Sequence, residues 1–366
     1  MIEPVVEEKH LTRIGVFGVG GAGNNAVNRM VEAELSGVEL FAVNTDLQAL
    51  RMSVAPNKIQ IGAQLTGGLG SGGDPRVGRQ AADESVELLR ENLAGFDMVF
   101  VAAGEGGGTG TGAAPVIAQQ ARASGALVVA VVTKPFIFEG PVREGKARDG
   151  ITALRPHVDT LIVMPNDKLL SVHGSLPVGK AFRTADEVLL NAVRGISDIV
   201  IGRQMINIDF ADVRTVMSER GGAVMTVGTA DGTGRAEDSA HKALESPLID
   251  AFEIHSARKI LLNITGDDSM TLDEVNKAAS VVFHATNGQA DVRLGAARDG
   301  GLRGTMKVTL IATGLNEPLP KLEDVVDMLK DNEMFPVSRR RIGDDGSLRI
   351  DSGDLEVPTF VRRQMD

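Results

Sequence analysis

The chain has 366 residues, 43% of them hydrophobic, and carries 38 Lys plus Arg against 49 Asp plus Glu, a formal net charge of −11. That length suits two domains of roughly 100–200 residues each, and the acidic balance argues against a nucleic-acid groove, which needs clustered cations. With no cysteine, disulfides, thiolate metal sites and cysteine nucleophiles are excluded.

The opening MIEPVVEEKH has neither a basic start nor an apolar stretch. The longest apolar run, Ala126 to Val132, is far short of the roughly 18 residues a membrane span needs. No export or direct membrane insertion is expected, and the compartment implied is the cytoplasm. From Leu11 to Asn166, short β-rich runs (IGVFGV, VELFAVN, MVFVAAG, ALVVAVVT, DTLIVMPN) alternate with helical patterns at Asn24–Ala33, Gly78–Leu93 and Ala113–Ala123. Continuous apolar strands separated by helices predict a parallel sheet covered on both faces, with ligands at the carboxyl ends of its strands. Pro115 falls near the predicted start of its helix, where a missing N–H is tolerated.

Apolar residues at helical spacing from Phe182 to Ile201 predict a helix of about 27 Å, long enough to join two domains. A second α/β unit follows to Gly314, with helices at Asp209–Glu219, Arg235–Leu248 and Thr271–Ala285 and strands at KILLNIT and MKVTLIAT. Beyond it, LEDVVDMLKDN at 322–332 is weakly amphipathic, Ser338–Gly353 reads as a flexible linker, and apolar residues return in DLEVPTFVRRQMD. The predicted fold class is α/β: a parallel-sheet domain over 11–178, a connecting helix over 179–203, a second α/β domain over 204–316, a linker over 317–353 and a terminal peptide over 354–366.

The first strand runs into Gly18-Val-Gly20-Gly21-Ala22-Gly23-Asn24-Asn25, a strand-to-helix loop of the kind that offers backbone N–H groups to an anion. Alone it fits a dinucleotide loop or a tight turn without a ligand equally well, and Asp46 at the end of the second strand even suits the ribose acid of an NAD site. A second run, Gly104-Glu105-Gly106-Gly107-Gly108-Thr109-Gly110-Thr111-Gly112, follows another strand. Two phosphate cradles on one sheet fit a triphosphate better than a dinucleotide, and so many glycines are entropically unfavourable unless a ligand needs them. The stretch Gly67–Pro75 either closes over a terminal phosphate or is a mobile surface loop. Gly174–Ala181 imitates a P-loop, but Ala181 stands where Ser or Thr would hold magnesium, so it reads as a loop leading into the long helix.

Asn207-x-Asp209-x-x-Asp212 opens a helix. Asp209 suits an N-cap and Asp212 the helix dipole, while two carboxylates three residues apart can also position a water for attack on a phosphate. The six histidines, at 10, 157, 173, 241, 255 and 284, form no ligand-spaced pair, so no protein-built metal site is expected.

Taken together, Gly20-Gly21-Ala22-Gly23-Asn24-Asn25, Asn44-Thr45-Asp46, the GGGTGTG run at 106–112, Thr133-Lys-Pro-Phe136 with Phe138-Glu139-Gly140, Pro165-Asn166-Asp167 and Asn207-Ile-Asp209-Phe-Ala-Asp212 resemble the ordered signature of the FtsZ family of the tubulin superfamily. The resemblance implies a GTPase that polymerises head to tail and serves the bacterial division ring at mid-cell. It implies that Gly107, Gly108, Thr109 and Gly110 cradle the phosphates of GTP or GDP, with Gly20, Gly21, Ala22, Gly23, Asn24 and Asn25 on the other side. Glu139 and Arg143 would meet ribose and phosphate, Asn166 and Asp186 would read guanine, and Phe182 would stack on the base. Asp186 also has a plainer reading, a solvated carboxylate in the first turn of a helix. In that superfamily the acidic loop reaches the next subunit's nucleotide, so Asn207, Asp209 and Asp212 would complete a shared site, with Mg2+ carried mainly by the phosphates.

The terminal peptide resembles the one that docks on membrane-tethering division proteins, with Leu355, Val357, Phe360 and Val361 as apolar anchors and Arg362 and Arg363 for an acidic rim; the alternative is a frayed end. Three features depart from the family pattern: Glu105, a carboxylate in the phosphate loop expected to weaken binding or turn outward; Gly68, where a basic residue is usual; and His173–Lys180, which matches no pattern. Two other functions stay open at this point, an NAD-linked oxidoreductase built on Gly18–Gly23 and a scaffold that binds GTP without turning it over.

Overall fold

In the computed structural model the chain is described over residues 12–168, 177–201, 204–219, 221–246 and 254–315. Its elements in chain order are β1 (Ile14–Val19), α1 (Gly20–Glu32), β2 (Val38–Asn44), α2 (Leu47–Met52), β3 (Asn57–Gln60), α3 (Ala63–Thr66), α4 (Pro75–Glu84), α5 (Val86–Leu93), β4 (Met98–Gly104), α6 (Thr109–Ala123), β5 (Leu127–Lys134), a 3-10 turn (Ile137–Glu139), α7 (Pro141–Leu154) and β6 (Thr160–Pro165). Then come α8 (Val178–Ile201), β7 (Gln204–Ile206), α9 (Phe210–Met217), β8 (Gly222–Asp231), α10 (Arg235–Leu244), β9 (Lys259–Gly266), α11 (Leu272–Ala285), β10 (Asp291–Arg298) and β11 (Thr305–Leu315).

The strands join one 11-stranded sheet in the order β3-β2-β1-β4-β5-β6-β8-β11-β9-β10-β7. β1 to β6 are parallel, as the sequence predicts. The second domain is mixed: β8 continues parallel to β6 through Ile162 and Ala223, β11 is antiparallel to both β8 and β9, β10 is parallel to β9, and β7 is antiparallel to β10. All strands except β11 and β7 therefore point one way. Val19, Asn44, Gly104 and Pro165 end strands on one edge of the sheet; Thr160, Lys259 and Asp291 begin strands on the opposite edge.

The apolar strand runs are explained by burial on both faces. In β1, Ile14 and Val16 pack towards α1 and α8, while Phe17 and Val19 face the layer that holds Ala81, Leu89, Ile117 and Ile151. Each such fully buried side chain contributes about 1.5–3 kcal/mol. The long helix α8 puts Leu189, Val193 and Ile196 into the same cluster as Leu127 and Met164 of the first domain and Met217, Met225 and Ile311 of the second. A third cluster packs α10 and α11 on β8, β9 and β11.

Several elements differ from the sequence expectation. The predicted helices at 24–33 and 113–123 begin inside their glycine runs, at Gly20 and Thr109. Pro115 thus lies in the helix interior, where it forgoes the bond to the carbonyl four residues earlier. The helix predicted over 78–93 is two, broken at Ser85, whose hydroxyl accepts from the Gly62 N–H (3.0 Å). Asp209 and Thr271 are N-caps rather than first helical residues. The predicted segments at 322–332 and 338–353, the terminal peptide and residues 174–176 of the loop predicted over 174–181 lie outside the described residues, while Val178–Ala181 of that loop are already helical, as the first turn of α8.

Close backbone approach makes two glycines behave oppositely. A Cβ on Gly228 of β8 would stand 2.0 Å from the Ser239 carbonyl of α10, whereas one on Gly145 of α7 would meet nothing within 4 Å. Gly228→Ala is expected to destabilise the fold by about 2–4 kcal/mol and Gly145→Ala to stabilise it by about 0.5–1 kcal/mol, both measured by urea unfolding.

Candidate functional site

The loop from β1 to α1 is built by contact. A Cβ on Gly18 would lie 2.3 Å from the Gly23 carbonyl, and one on Gly23 would lie 2.3 Å from that of Ala102. Asn24 is buried, and with its amide turned to suit its neighbours it donates to the carbonyls of Gly20 (3.0 Å) and Val43 (3.1 Å) and accepts from Asn44 Nδ2 (3.1 Å). Asn44 Oδ1 in turn accepts from the Thr45 (2.9 Å) and Asp46 (3.2 Å) N–H groups. The ends of β1 and β2 are thereby locked together.

The second glycine run closes against the first. Gly20 has φ +72°, and a Cβ there would stand 2.8 Å from Gly110 N, so the starts of α1 and α6 touch backbone to backbone. Thr109 Oγ1 hydrogen-bonds Thr45 Oγ1 (2.7 Å) and Ser71 Oγ (3.1 Å), drawing in the loops after β2 and α3. Gly21 and Gly107, by contrast, have nothing within 4 Å of a Cβ position. Two helix N-termini with glycine backbone on the open side form an anion cradle.

The 67–75 loop is tied at several points. Gly68 O accepts from the Leu47 N–H (3.0 Å), Lys146 Nζ donates to Gly73 O (2.6 Å), and Asp74 caps α4 through the Arg76 N–H (2.9 Å). Gly68 has φ +78° and packs against Leu47, so the basic side chain usual in the family would be strained there. Asp46, the residue suited to an NAD ribose, instead spends Oδ1 capping α2 through the Gln48 (2.8 Å) and Ala49 (3.1 Å) N–H groups.

Beside the cradle lies a cavity of about 270 Å³ lined by Asn25, Arg29, Gly179, Phe182 and Asp186, among others. Burial pushes the Asp186 carboxyl up to about 7; nearby Arg29 opposes this and Glu187 adds to it. Asn166, just past β6 on the same edge, is buried, and its Oδ1 has no partner. An orphaned carbonyl oxygen at this place fits a ligand donor. Phe182 is partly exposed and meets Phe136 edge-on at 5.4 Å. Glu139 and Arg143 form an ion pair with each other, and Glu139 Oε1 also accepts from the Phe136 N–H (2.9 Å).

Asn207, Asp209 and Asp212 are elsewhere. The carbonyl of Met217, at the far end of α9, accepts from the hydroxyl of Thr160, the first residue of β6, and Lys259 Nζ, at the start of β9, donates to Thr215 O (3.1 Å). Asp212 Oδ1 pairs with Arg293 Nη1 (3.1 Å), three residues into β10. These contacts put the acidic turn at the edge where strands begin, about a strand length, roughly 17–20 Å, from the edge that carries the glycine loops. Asp209 Oδ1 accepts from the Asp212 N–H (2.7 Å), as an N-cap should. Asn207 is exposed. Among the described residues, no group of three or more acidic or histidine side chains is placed to hold a metal ion.

Glu105 does not turn outward. It is buried, with Oε2 packed against Gly150 of α7 and neither carboxylate oxygen hydrogen-bonded. Burial pushes its carboxyl up to about 7, partly offset by the nearby Thr111 hydroxyl. The side chain points away from the cradle, into the packing between α6 and α7. Sequence reasoning did not anticipate this, nor did it single out Arg293 or the Thr45–Thr109 contact. The Asn44-Thr45-Asp46 run was the visible trace of the last.

Residues 13–174 match the family described as "Tubulin/FtsZ family, GTPase domain", and residues 221–316 match "FtsZ family, C-terminal domain". A solved point mutant of FtsZ from M. jannaschii is similar at 42% identity and a TM-score of 0.80, covering 83% of this chain and 91% of that one. An empty FtsZ dimer from the same organism is similar at 40% identity and a TM-score of 0.79, covering 85% and 94%. A GTPγS-bound protofilament of CetZ2 from Haloferax volcanii shares the fold at 20% identity and a TM-score of 0.70, covering 87% and 97%.

The buried carboxyl of Glu105 sets a pH slope. Its value is raised from an ordinary 4.5 to about 7, so the folded state holds a proton the unfolded state releases, and stability declines as pH rises from about 4.5 through 7. The full loss is of order 3 kcal/mol. Glu105→Gln is expected to flatten this slope and to be the more stable protein at pH 8, as measured by urea unfolding at pH 5.5 and 8.

Proposed function

The chain belongs to the tubulin/FtsZ family of polymerising, GTP-hydrolysing cytoskeletal proteins, and from that premise we propose that its catalytic site is split between neighbouring subunits of a head-to-tail filament. The observation that carries this is the placement of Asp209 and Asp212 at the sheet edge opposite the glycine loops. One chain cannot bring both to the same γ-phosphate. A translated copy can, and a contact that does not close on itself propagates as a filament.

In this reading Gly20 to Asn25 and Gly107 to Gly110 receive the phosphates of GTP on backbone N–H groups and two helix dipoles. Asp186 accepts from guanine N1–H and N2–H, which adenine lacks. Asn166 offers its free carbonyl oxygen to the base, Phe182 stacks on it, and Glu139 and Arg143 exchange their mutual pair for contacts with ribose and phosphate. Asp212 of the next subunit accepts the hydrogen bond of the attacking water and takes its proton as the water oxygen bonds to the γ-phosphorus and the β–γ bridge breaks. Asp209 and Asn207 hold that turn in shape. Mg2+ on the phosphates would offset their charge and needs few protein ligands.

We take 11–178 as the nucleotide domain, 179–203 as the connecting helix and 204–316 as the activating domain. A bacterial division ring at mid-cell, in the cytoplasm, is the cellular role that this family and the terminal peptide's apolar anchors support best. The peptide, with Leu355, Val357, Phe360, Val361, Arg362 and Arg363, lies outside the described residues, and its proposed partner is a membrane-tethering division protein reached through the 317–353 linker. Among the described residues no helix is long and apolar enough to cross a membrane.

Phosphate release from GTP per subunit is expected to rise with protein concentration in step with light scattering, and Asp212→Ala to lower it by about 10²-fold or more. Activity per subunit independent of concentration would place the whole site in one chain. A low, Asp212-independent rate would instead mark a scaffold that binds GTP without turning it over. Because the protonated Asp186 cannot accept both guanine donors and its value lies at about 7, GTP affinity is expected to weaken about tenfold from pH 8 to pH 6. Asp186→Asn should bind weakly with no such slope, in a fluorescence titration of labelled GTP.

A further inference from the structure

The two carboxylates that open α9 are not equally free. Asp209 is committed to its cap, while Asp212 holds a contact with a different strand: its Oδ1 lies 3.1 Å from Arg293 Nη1. The same guanidinium reaches Asp291 Oδ2 through Nη2 at 3.0 Å. Asp291 and Arg293 are two apart on β10 and so project from the same face of the strand.

We propose that Arg293 is a positioning residue for GTP hydrolysis, holding the Asp212 carboxylate in the orientation in which it meets the neighbouring subunit's nucleotide. This rests on the split-site reading above. A short acidic side chain at an exposed helix start has several rotamers open to it. A planar guanidinium anchored on its other branch by Asp291 selects one of them. The arginine also answers the local charge. Asp209, Asp212 and Asp291 gather three carboxylates at an edge that must approach a triphosphate, and Arg293 is the cation paired with two of them. Fold stability alone is a poor reason to keep it there, because its Nε is buried without a hydrogen-bond partner, an unfavourable arrangement that an apolar strand residue would avoid.

The test uses the full chain above its assembly concentration, comparing Arg293→Gln, Arg293→Lys, Asp212→Asn and the Arg293→Gln/Asp212→Asn double variant. Phosphate release, polymer sedimented with a non-hydrolysable GTP analogue, and affinity for labelled GTP are measured. Arg293→Gln is expected to lower kcat about tenfold, the scale of one lost charge-assisted contact to the reacting groups, with polymer mass and GTP affinity unchanged. Arg293→Lys, which keeps the charge but not the fork, should recover part of the loss. Added to Asp212→Asn, Arg293→Gln should cost nothing more, because it acts through that carboxylate.

Unchanged turnover in Arg293→Gln overturns the proposal. So does a rise in turnover, which would make the pair a clamp withholding Asp212. A further loss in the double variant would mean the arginine touches the nucleotide itself, and a loss that only follows falling polymer mass would mean it serves the interface. Each of these leaves the split site standing, whereas full activity in Asp212→Asn would remove the split-site reading first.

Discussion

The near-contact of Gly20 with Gly110 is the constraint on which the nucleotide edge depends. The distance from a Gly20 Cβ position to Gly110 N is 2.8 Å, so any side chain there would wedge apart the two helix N-termini that make the cradle. Holding them together requires the locks around them: Asn24 on Asn44, Thr109 on Thr45 and Ser71, and Lys146 on the Gly73 carbonyl. None of these groups needs to perform chemistry. They fix four loops from four crossovers so that, on the proposed reading, backbone N–H groups would receive a phosphate without reorganising.

Strand direction supplies the second constraint. Nine of the eleven strands point one way, so the loops leaving their ends gather on one edge, whereas β7 runs against them and delivers the acidic turn and α9, bonded to the starts of β6 and β9, to the other. The shared core along α8 makes this separation rigid, because Leu189, Val193 and Ile196 pack on both domains at once. A loop swing does not bridge a strand length of packed sheet. On the proposed reading, in which these are two complementary half-sites, opposite edges would call for a heterologous contact.

What could be read in advance follows from how local each cause is. The parallel half was legible because strands buried on both faces must be continuously apolar, and the glycine runs because close backbone approach at Gly18, Gly20, Gly23, Gly110 and Gly112 leaves no alternative residue there. The caps at Asp209 and Thr271 were legible to within a residue. The break at Ser85 was not, since its hydroxyl answers an N–H at Gly62, 23 residues away. Neither was the antiparallel placing of β11, which depends on which neighbours it finds rather than on its own pattern. The glycine loops and the acidic turn show as motifs, but that they lie on opposite edges appears only once strand order is known. Arg293 carries no sequence signal: it is an isolated cation in an ordinary strand, given meaning by a carboxylate 81 positions earlier.

Glu105 shows where local and global demands part. In sequence it sits among the phosphate-loop glycines, the worst place for a negative charge. The fold removes the conflict by turning the side chain into the α6–α7 packing, where Gly150 makes room for it and burial keeps its carboxyl near 7. A neutral Glu105 adds no charge to the cradle, and an ionised one sits unsolvated against α7, so deprotonation is resisted by the packing that anchors the loop. The proposed phosphate site would thus be shielded from its own acidic neighbour at a cost in stability at high pH. The Asp186 carboxyl, raised to a similar value by burial, differs in opening onto a cavity, where a donor pair from a base can complete what the protein leaves unsatisfied. Two carboxyls with similar values have opposite outlooks because one faces packed protein and the other faces space for a ligand.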